Sequence, residues 1–157
     1  MRTLLYPLLL LLLALPARAQ DALNLARDYL QAYTAMDYGR LETFYHFDAR
    51  FEDPGADVQG NGQYLSGRKA IMAFLRQSQQ GVAQIRFVED QHLVIGNWVV
   101  FIGEYHYLVS GPQFGLDAQP VWLVIKGITE LKVDTGSGQV RVHRDMLDYE
   151  SMPEQLQ

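Results

Sequence analysis

Ala49-Arg-Phe-Glu-Asp-Pro54, followed after a glycine-rich loop by Gly67-Arg-Lys-Ala-Ile-Met-Ala-Phe-Leu-Arg76, is the stretch on which the reading of this chain turns. Its first half reads as a short strand that stops at a carboxylate. Pro54 has no N–H and pushes Asp53 into an extended conformation, so the strand ends there. Residues 55–66 carry Gly55, Gly60, Asn61 and Gly62, with Gly67 just behind, and read as a turn-rich loop. The second half is helical: Ile71, Phe74 and Leu75 share a face, and Arg68, Lys69 and Arg76 lie on others. A strand-end carboxylate beside a loop and under a helix is where a small fold can present a reactive acid.

Upstream of this stretch, Arg2, the leucine-rich run from Leu4 to Leu15 and the A-x-A site Ala17-Arg-Ala19 form the three parts of an export signal, with cleavage expected after Ala19. The run is too short and wrongly flanked for a spanning helix. Residues 1–19 therefore read as a signal peptide. Residues 20–157 read as one domain, periplasmic or secreted, with no membrane association once the signal is removed. The 157-residue chain has a formal net charge of −5, and loss of Arg2 and Arg18 makes the mature domain more acidic still. Phosphate binding needs a basic stripe, so nucleic acid is not an expected partner. There is no cysteine, which excludes disulfides, a lipid-modified cysteine and thiolate metal sites. The histidines are scattered without ligand spacing, so no metal and no cofactor is expected.

Asp21 to about Met36 reads as an amphipathic helix with Leu23, Ala26, Leu30 and Tyr33 on its apolar face, Tyr29 on the flank and Asp21 capping its start. A second short helix follows from about Gly39 to Tyr45. After Gly81 the pattern becomes extended. Ile85–Ile95 and Trp98–Val109 are joined by the hairpin signal Gly96-Asn97, and Val121–Val133 and Val140–Tyr149 are two further strands. Helices first and long antiparallel strands after them predict an α+β fold with helices on one face of a curved sheet. Val121, Leu123, Ile125, Gly127, Thr129, Leu131 and Val133 should face inward, as should Val99, Phe101, Gly103, Tyr105 and Tyr107. Gly103 and Gly127 suggest bends. The last strand breaks the alternation, with Arg141, His143, Asp145, Leu147 and Tyr149 on one face and Arg144 and Asp148 on the other. An inward charge needs a partner or a wet cavity, so a polar-lined pocket is expected. The tail from Glu150 is expected to fray.

The whole order resembles the nuclear transport factor 2-like superfamily. It runs from the helix and short helix through the strand ending Phe51-Glu-Asp53-Pro54, the glycine loop and the Gly67 helix to a meander and a last strand reading Val142-His-Arg-Asp145-Met-Leu-Asp148-Tyr149. Within that superfamily it is similar to the SnoaL-like polyketide cyclase and ketosteroid isomerase group over essentially the whole mature chain. The resemblance implies a cone-shaped α+β barrel with N-terminal helices packed on a strongly curved antiparallel sheet. It places Asp53 where ketosteroid isomerases hold their general base, Tyr29 where a tyrosine stabilises the enolate oxygen, and Tyr45 where a second tyrosine supports it. It places Thr129 and Leu75 where those enzymes carry a protonated aspartate and a further tyrosine, a departure from the isomerase pattern. His143 and Asp145 match the His-x-Asp setting of the cyclases.

The expected catalytic set is then Asp53, Asp145, His143 and Tyr29, with Tyr45, Phe74, Thr129 and Leu147 lining the place of a small apolar ligand. Bland readings stand beside each role: Asp53 as a strand terminator, His143 and Asp145 as a ladder pair on an edge strand, Tyr29 as a core tyrosine. Two functions are open. One is a cofactor-free isomerase- or cyclase-like enzyme moving protons on a small carbonyl compound. The other is a non-catalytic module that holds a ligand or partner. Trp122 and Ile128 on the outer sheet face suit a homodimer.

Overall fold

The computed structural model describes residues 5–56, 62–111, 115 and 119–156. Residues 57–61 and 112–114 and 116–118, which include Gly60 and Asn61 of the glycine loop and most of the loop before Val121, lie outside the described residues. So do the first four residues of the expected export signal.

Helix α1 (Leu5–Thr34) runs through the leucine- and alanine-rich segment, whose residues favour helix. Asp21 therefore lies inside the helix and does not cap it, contrary to expectation. Ala22, Ala26, Tyr29 and Tyr33, at spacings of four, three and four, are buried together with Leu23 and Leu30. Tyr29 is completely enclosed rather than flanking. Met36 takes a left-handed φ of 51° to end the helical path, and Asp37 starts α2 (Tyr38–Phe44) by accepting from Arg40 N at 3.1 Å.

Six strands form one sheet: β1 (Tyr45–Asp53), β2 (Gln63–Ser66), β3 (Val82–Ile95), β4 (Trp98–Val109), β5 (Val121–Asp134) and β6 (Gln139–Leu147). Their order is β2-β1-β6-β5-β4-β3. The long meander is antiparallel as expected, and Ile95 pairs with Trp98 across the Gly96-Asn97 turn. The β1–β6 pair is parallel, so the sheet is mixed and remains open. Strand β2 was expected to be loop; four residues of it pair antiparallel with the end of β1, from Arg50 opposite Ser66 to Asp53 opposite Gln63. Helix α3 (Arg68–Ser78) lies over this edge and buries Ile71, Met72 and Leu75.

The inner face follows the alternation of the sequence. Leu123, Ile125, Thr129, Leu131 and Val133 of β5 and Val99, Phe101, Gly103 and Tyr105 of β4 are all buried. Gly103 and Gly127 pair with each other at the bend. A Cβ on Gly127 would stand 2.5 Å from Met146 O, so the close approach of β6 depends on its absence.

Strand β6 departs from a plain period of two. Its pairing with β5 slips between Lys132 and Val133, leaving Arg141 as the extra residue of a bulge. Arg141 was expected to face inward with His143. Instead it reaches Asp134 Oδ2 at 3.0 Å, Asp48 Oδ1 at 3.4 Å and His46 Nδ1 at 2.8 Å at the surface. Arg144 bridges Glu52 and Glu130 across three strands, at 2.6 and 3.0 Å. Beyond Leu147 the chain leaves the strand, so Tyr149 lies in a 3-10 turn (Tyr149–Ser151) followed by α4 (Met152–Gln155). The expected fraying of the tail does not occur through Gln155. The Gln155 amide pairs with Val124, its Nε2 donating to Val124 O at 2.9 Å and its Oε1 accepting from Val124 N at 2.8 Å.

Candidate active site

His143 is the hub of the interior. Strand β6 places it opposite Leu131 on β5 and beside Phe51 on β1, on the inner face. Its ring is enclosed by Phe51, Tyr29, Tyr33 and Tyr45, at centroid distances of 4.9, 5.4, 5.6 and 6.4 Å. Nδ1 lies 2.8 Å from the Tyr29 hydroxyl and 2.9 Å from the Tyr45 hydroxyl, and the two hydroxyls are 2.5 Å apart. A proton count assigns the tautomer. Two hydroxyl protons satisfy three atoms if one tyrosine donates to the other and the second donates to Nδ1. In a neutral ring the proton is then on Nε2, which faces Asp145 Oδ2 at 3.1 Å. That approach is close but poorly aligned, and Nε2 makes no proper hydrogen bond.

Asp145 is buried too, with Oδ2 beside the imidazole and Oδ1 hydrogen-bonded. Oδ1 accepts from Thr129 Oγ1 at 2.6 Å, directly across the β5–β6 ladder, and Thr129 Oγ1 lies 2.8 Å from the Tyr105 hydroxyl. Tyr105-Thr129-Asp145-His143-Tyr29/Tyr45 is thus one connected polar network sealed among aromatic rings. Burial pushes the phenols of Tyr29, Tyr45 and Tyr105 well above their ordinary range, so they remain neutral donors.

Asp53 stands apart from this network. As the last residue of β1 it is buried, yet it adjoins exposed Pro54 and Gly55. Its Oδ2 accepts from the Tyr149 hydroxyl at 2.6 Å and its Oδ1 from Gly55 N at 3.2 Å. Burial raises its pKa to about 6; the charge of Asp145 adds to the rise, and the Tyr149 and Gly55 bonds and His143 oppose it. The sign for stability follows. The folded state holds this proton more tightly than the unfolded chain, whose value is about 4. The contribution is therefore full below about pH 4 and is lost as pH rises through 6. Asp53→Asn should remove that dependence and gain on the wild type between pH 4 and 7 in urea unfolding. Parallel stability profiles for the two proteins would rule out the raised value.

The structure thus gathers Tyr29, Tyr45, Thr129, His143 and Asp145 into one cluster. Phe74 is one ring removed, packing on Phe51 at 5.3 Å. Leu147 is half-buried at the Asp53 end, with Tyr107 and Phe74 also partly exposed. Sequence reasoning missed Tyr149 and Tyr105 as members of the site. Tyr105 was legible as an inward tyrosine, whereas Tyr149 was counted as strand and its turn toward Asp53 left no local signal. His143 and Asp145 are central rather than an edge ladder pair, since β6 lies between β1 and β5. Surface grooves of about 410 and 320 Å³ lie among the described residues. One lies between Arg50, Lys132 and Arg141 and the other between Asn24 and Thr135, and neither is lined by Asp53, His143 or Asp145.

Helices over a curved, open six-stranded sheet, with acidic and phenolic groups on its inner face, define an α+β cone protein. The family model for the SnoaL-like domain matches residues 26–141, and the chain belongs to that family. Among solved structures it is similar to a candidate SnoaL-like polyketide cyclase from Shewanella putrefaciens CN-32, at 34% identity and TM-score 0.76, over 86% of this chain and 95% of that one. It is equally similar to one from Shewanella denitrificans OS-217, at 34% identity and TM-score 0.77, over 86% and 96%. A protein with a ketosteroid isomerase-like fold from Catenulispora acidiphila DSM 44928, solved with trimethylamine, shares the fold at 15% identity and TM-score 0.65, over 83% and 90%. No match is found among curated proteins.

Proposed function

We propose that this chain is an exported SnoaL-like protein that moves a proton on a small apolar carbonyl compound without a cofactor, with Asp53 as the general base. One observation carries the choice: of the two inner aspartates, Asp53 has a pKa raised to about 6 and lies beside exposed backbone, while Asp145 is buried deep in the network with one oxygen held by Thr129. A base works best with a pKa near the working pH and within reach of the substrate. Asp53 takes the proton next to the carbonyl, and donation by Tyr29 to the oxygen that becomes negative requires its hydroxyl to turn away from the Tyr45 and His143 partners that hold it here. Asp145 and His143 hold Tyr29 and Tyr45 in place. Ligand entry is at the half-buried end between Leu147, Phe74 and Tyr107. Export rests on the leucine-rich run and Ala17-Arg-Ala19, and places the protein in the periplasm or outside the cell.

The second reading, a ligand-holding module without chemistry, is favoured by Thr129 and Leu75 at two positions where the isomerase pattern carries donors. In either case the exposed outer face with Val88, Leu93, Trp122 and Met146 suits a homodimer. The test is to purify the protein from its native compartment, extract and identify the bound compound by mass spectrometry, and incubate it with protein in D₂O. Catalysis predicts deuterium uptake next to the carbonyl, slowed by about 10²-fold or more in Asp53→Asn. A bound compound that exchanges no faster with protein than without it leaves the binding module.

A further inference from the structure

The segment after β6 is fastened in an unusual way. Asp148 N donates to Lys126 O at 2.8 Å, the last backbone bond between this region and β5. The 3-10 turn and α4 that follow bury none of their own residues, so they add little to the apolar core. Polar contacts hold the segment at two ends. At the far end, the Gln155 amide pairs with both backbone groups of Val124, a residue beyond the end of β6. The side chain takes the place of a missing strand residue there, satisfying a β5 edge that would otherwise be open. At the near end, the Tyr149 hydroxyl donates to Asp53 Oδ2 at 2.6 Å, 96 residues away in sequence.

The near end is also shaped to receive Tyr149. A Cβ at Gly55 would stand 3.1 Å from Leu147 O and 3.2 Å from Tyr149 Cδ2, so the aromatic ring lies against a position kept clear of side chain. Gly55 N serves the other oxygen of the same carboxylate. Both Asp53 oxygens are therefore oriented by groups that depend on this packing.

Resting on the reading of Asp53 as the base, we infer that Tyr149 is its positioning residue, and that residues 148–155 form a strap, latched by Gln155 onto Val124, that holds the Tyr149 hydroxyl on the Asp53 carboxylate. A hydroxyl that donates to a carboxylate favours the charged form. The strap therefore decides at what pH Asp53 is free to accept a proton, and it fixes the direction in which the carboxylate points. The other titratable groups that act on Asp53 are Asp145 and His143 from β6 and Tyr33 from α1. None of them belongs to residues 148–155, so the substitutions in the strap leave their side chains unchanged.

The test is a pH titration of the Asp53 carboxyl carbon by ¹³C NMR in the full-length protein, with no substrate present. Tyr149→Phe keeps the ring and removes the donor; the Asp53 midpoint should rise by about one pH unit. Gln155→Leu removes only the latch, at a distance from Asp53, and should raise the midpoint in the same direction by a smaller amount. The double variant should titrate like Tyr149→Phe alone, because a latch with nothing to hold has no further effect. If Tyr149→Phe leaves the midpoint unchanged, the hydroxyl does not act on Asp53. If Gln155→Leu lowers the melting temperature yet leaves the Asp53 midpoint at the wild-type value, the tail is only a structural cap. The titration needs no turnover, so failure of the D₂O exchange would overturn catalysis while leaving this result standing.

Discussion

His143→Leu is expected to destabilise the protein by about 3–5 kcal/mol, although leucine fills much of the same space. The reason is the sealed network. Tyr29 and Tyr45 can still bond to each other, but one hydroxyl proton loses its acceptor, and both hydroxyls are on fully buried side chains. Asp145 loses the one positive-edged neighbour of its Oδ2 and keeps only Thr129. Tyr29→Phe should cost less, since Tyr45 still reaches Nδ1 at 2.9 Å. In the Tyr29→Phe background, replacing His143 still strands the Tyr45 hydroxyl, which then has neither Tyr29 nor the imidazole, so the second change should cost at least as much as in the wild type. At roughly 2–4 °C per kcal/mol for a chain of this length, His143→Leu should lower the melting temperature by about 10 °C. A loss within 1 kcal/mol of zero would mean that the interior hydroxyls find partners outside this network.

Gly103→Ala is expected to be comparably severe, for a purely steric reason. Its Cβ would lie 2.1 Å from Val88 O and 3.0 Å from Phe87 Cζ on the neighbouring strand. The aromatic tip can turn aside, but a carbonyl within the β3–β4 ladder cannot. The strands must separate at the bend, where β3 already carries a register shift between Glu89 and Gln91. The expected loss is about 3 kcal/mol or more, with exposure of Phe87 and Tyr105, which pack at 4.7 Å beneath this point. Gly96→Ala is the control. Its φ of +61° disfavours a side chain, but nothing lies within 4 Å of the new atom, so it should cost only ~1–2 kcal/mol. Equal stability of the two variants in urea unfolding would show that β3 and β4 do not approach so closely at Gly103.

The two substitutions also show where sequence reasoning carried and where it stopped. Gly103 and Gly127 were legible as bends because glycine inside an otherwise β-branched and aromatic run has few other reasons to be there. The inward set of β5 and the Gly96-Asn97 hairpin were legible for the same kind of reason, since each depends on residues within a few positions of one another. The parallel β1–β6 pair, the edge strand β2 and the Arg141 bulge were not. Pairing depends on a partner strand far away in the chain, and a single bulge reverses the face of every residue before it without altering composition. His143 and Asp145 could be read as a pair from their i, i+2 spacing. Their enclosure by Tyr29, Tyr45 and Phe51 could not, because those rings come from α1 and β1.

Local periodicity, turn chemistry and the Asp53-Pro54 stop determined by themselves that this chain is an α+β protein with a carboxylate at the end of its first strand and polar residues facing inward from its last, though they counted Arg141 among them. Only the tertiary structure separated the two aspartates. It sealed Asp145 into a hydroxyl and imidazole network and left Asp53 at the rim under Tyr149. The physical reason is that a carboxylate's behaviour is set by how far it is removed from water and by which donors face it. Both are properties of neighbours brought in from remote parts of the chain.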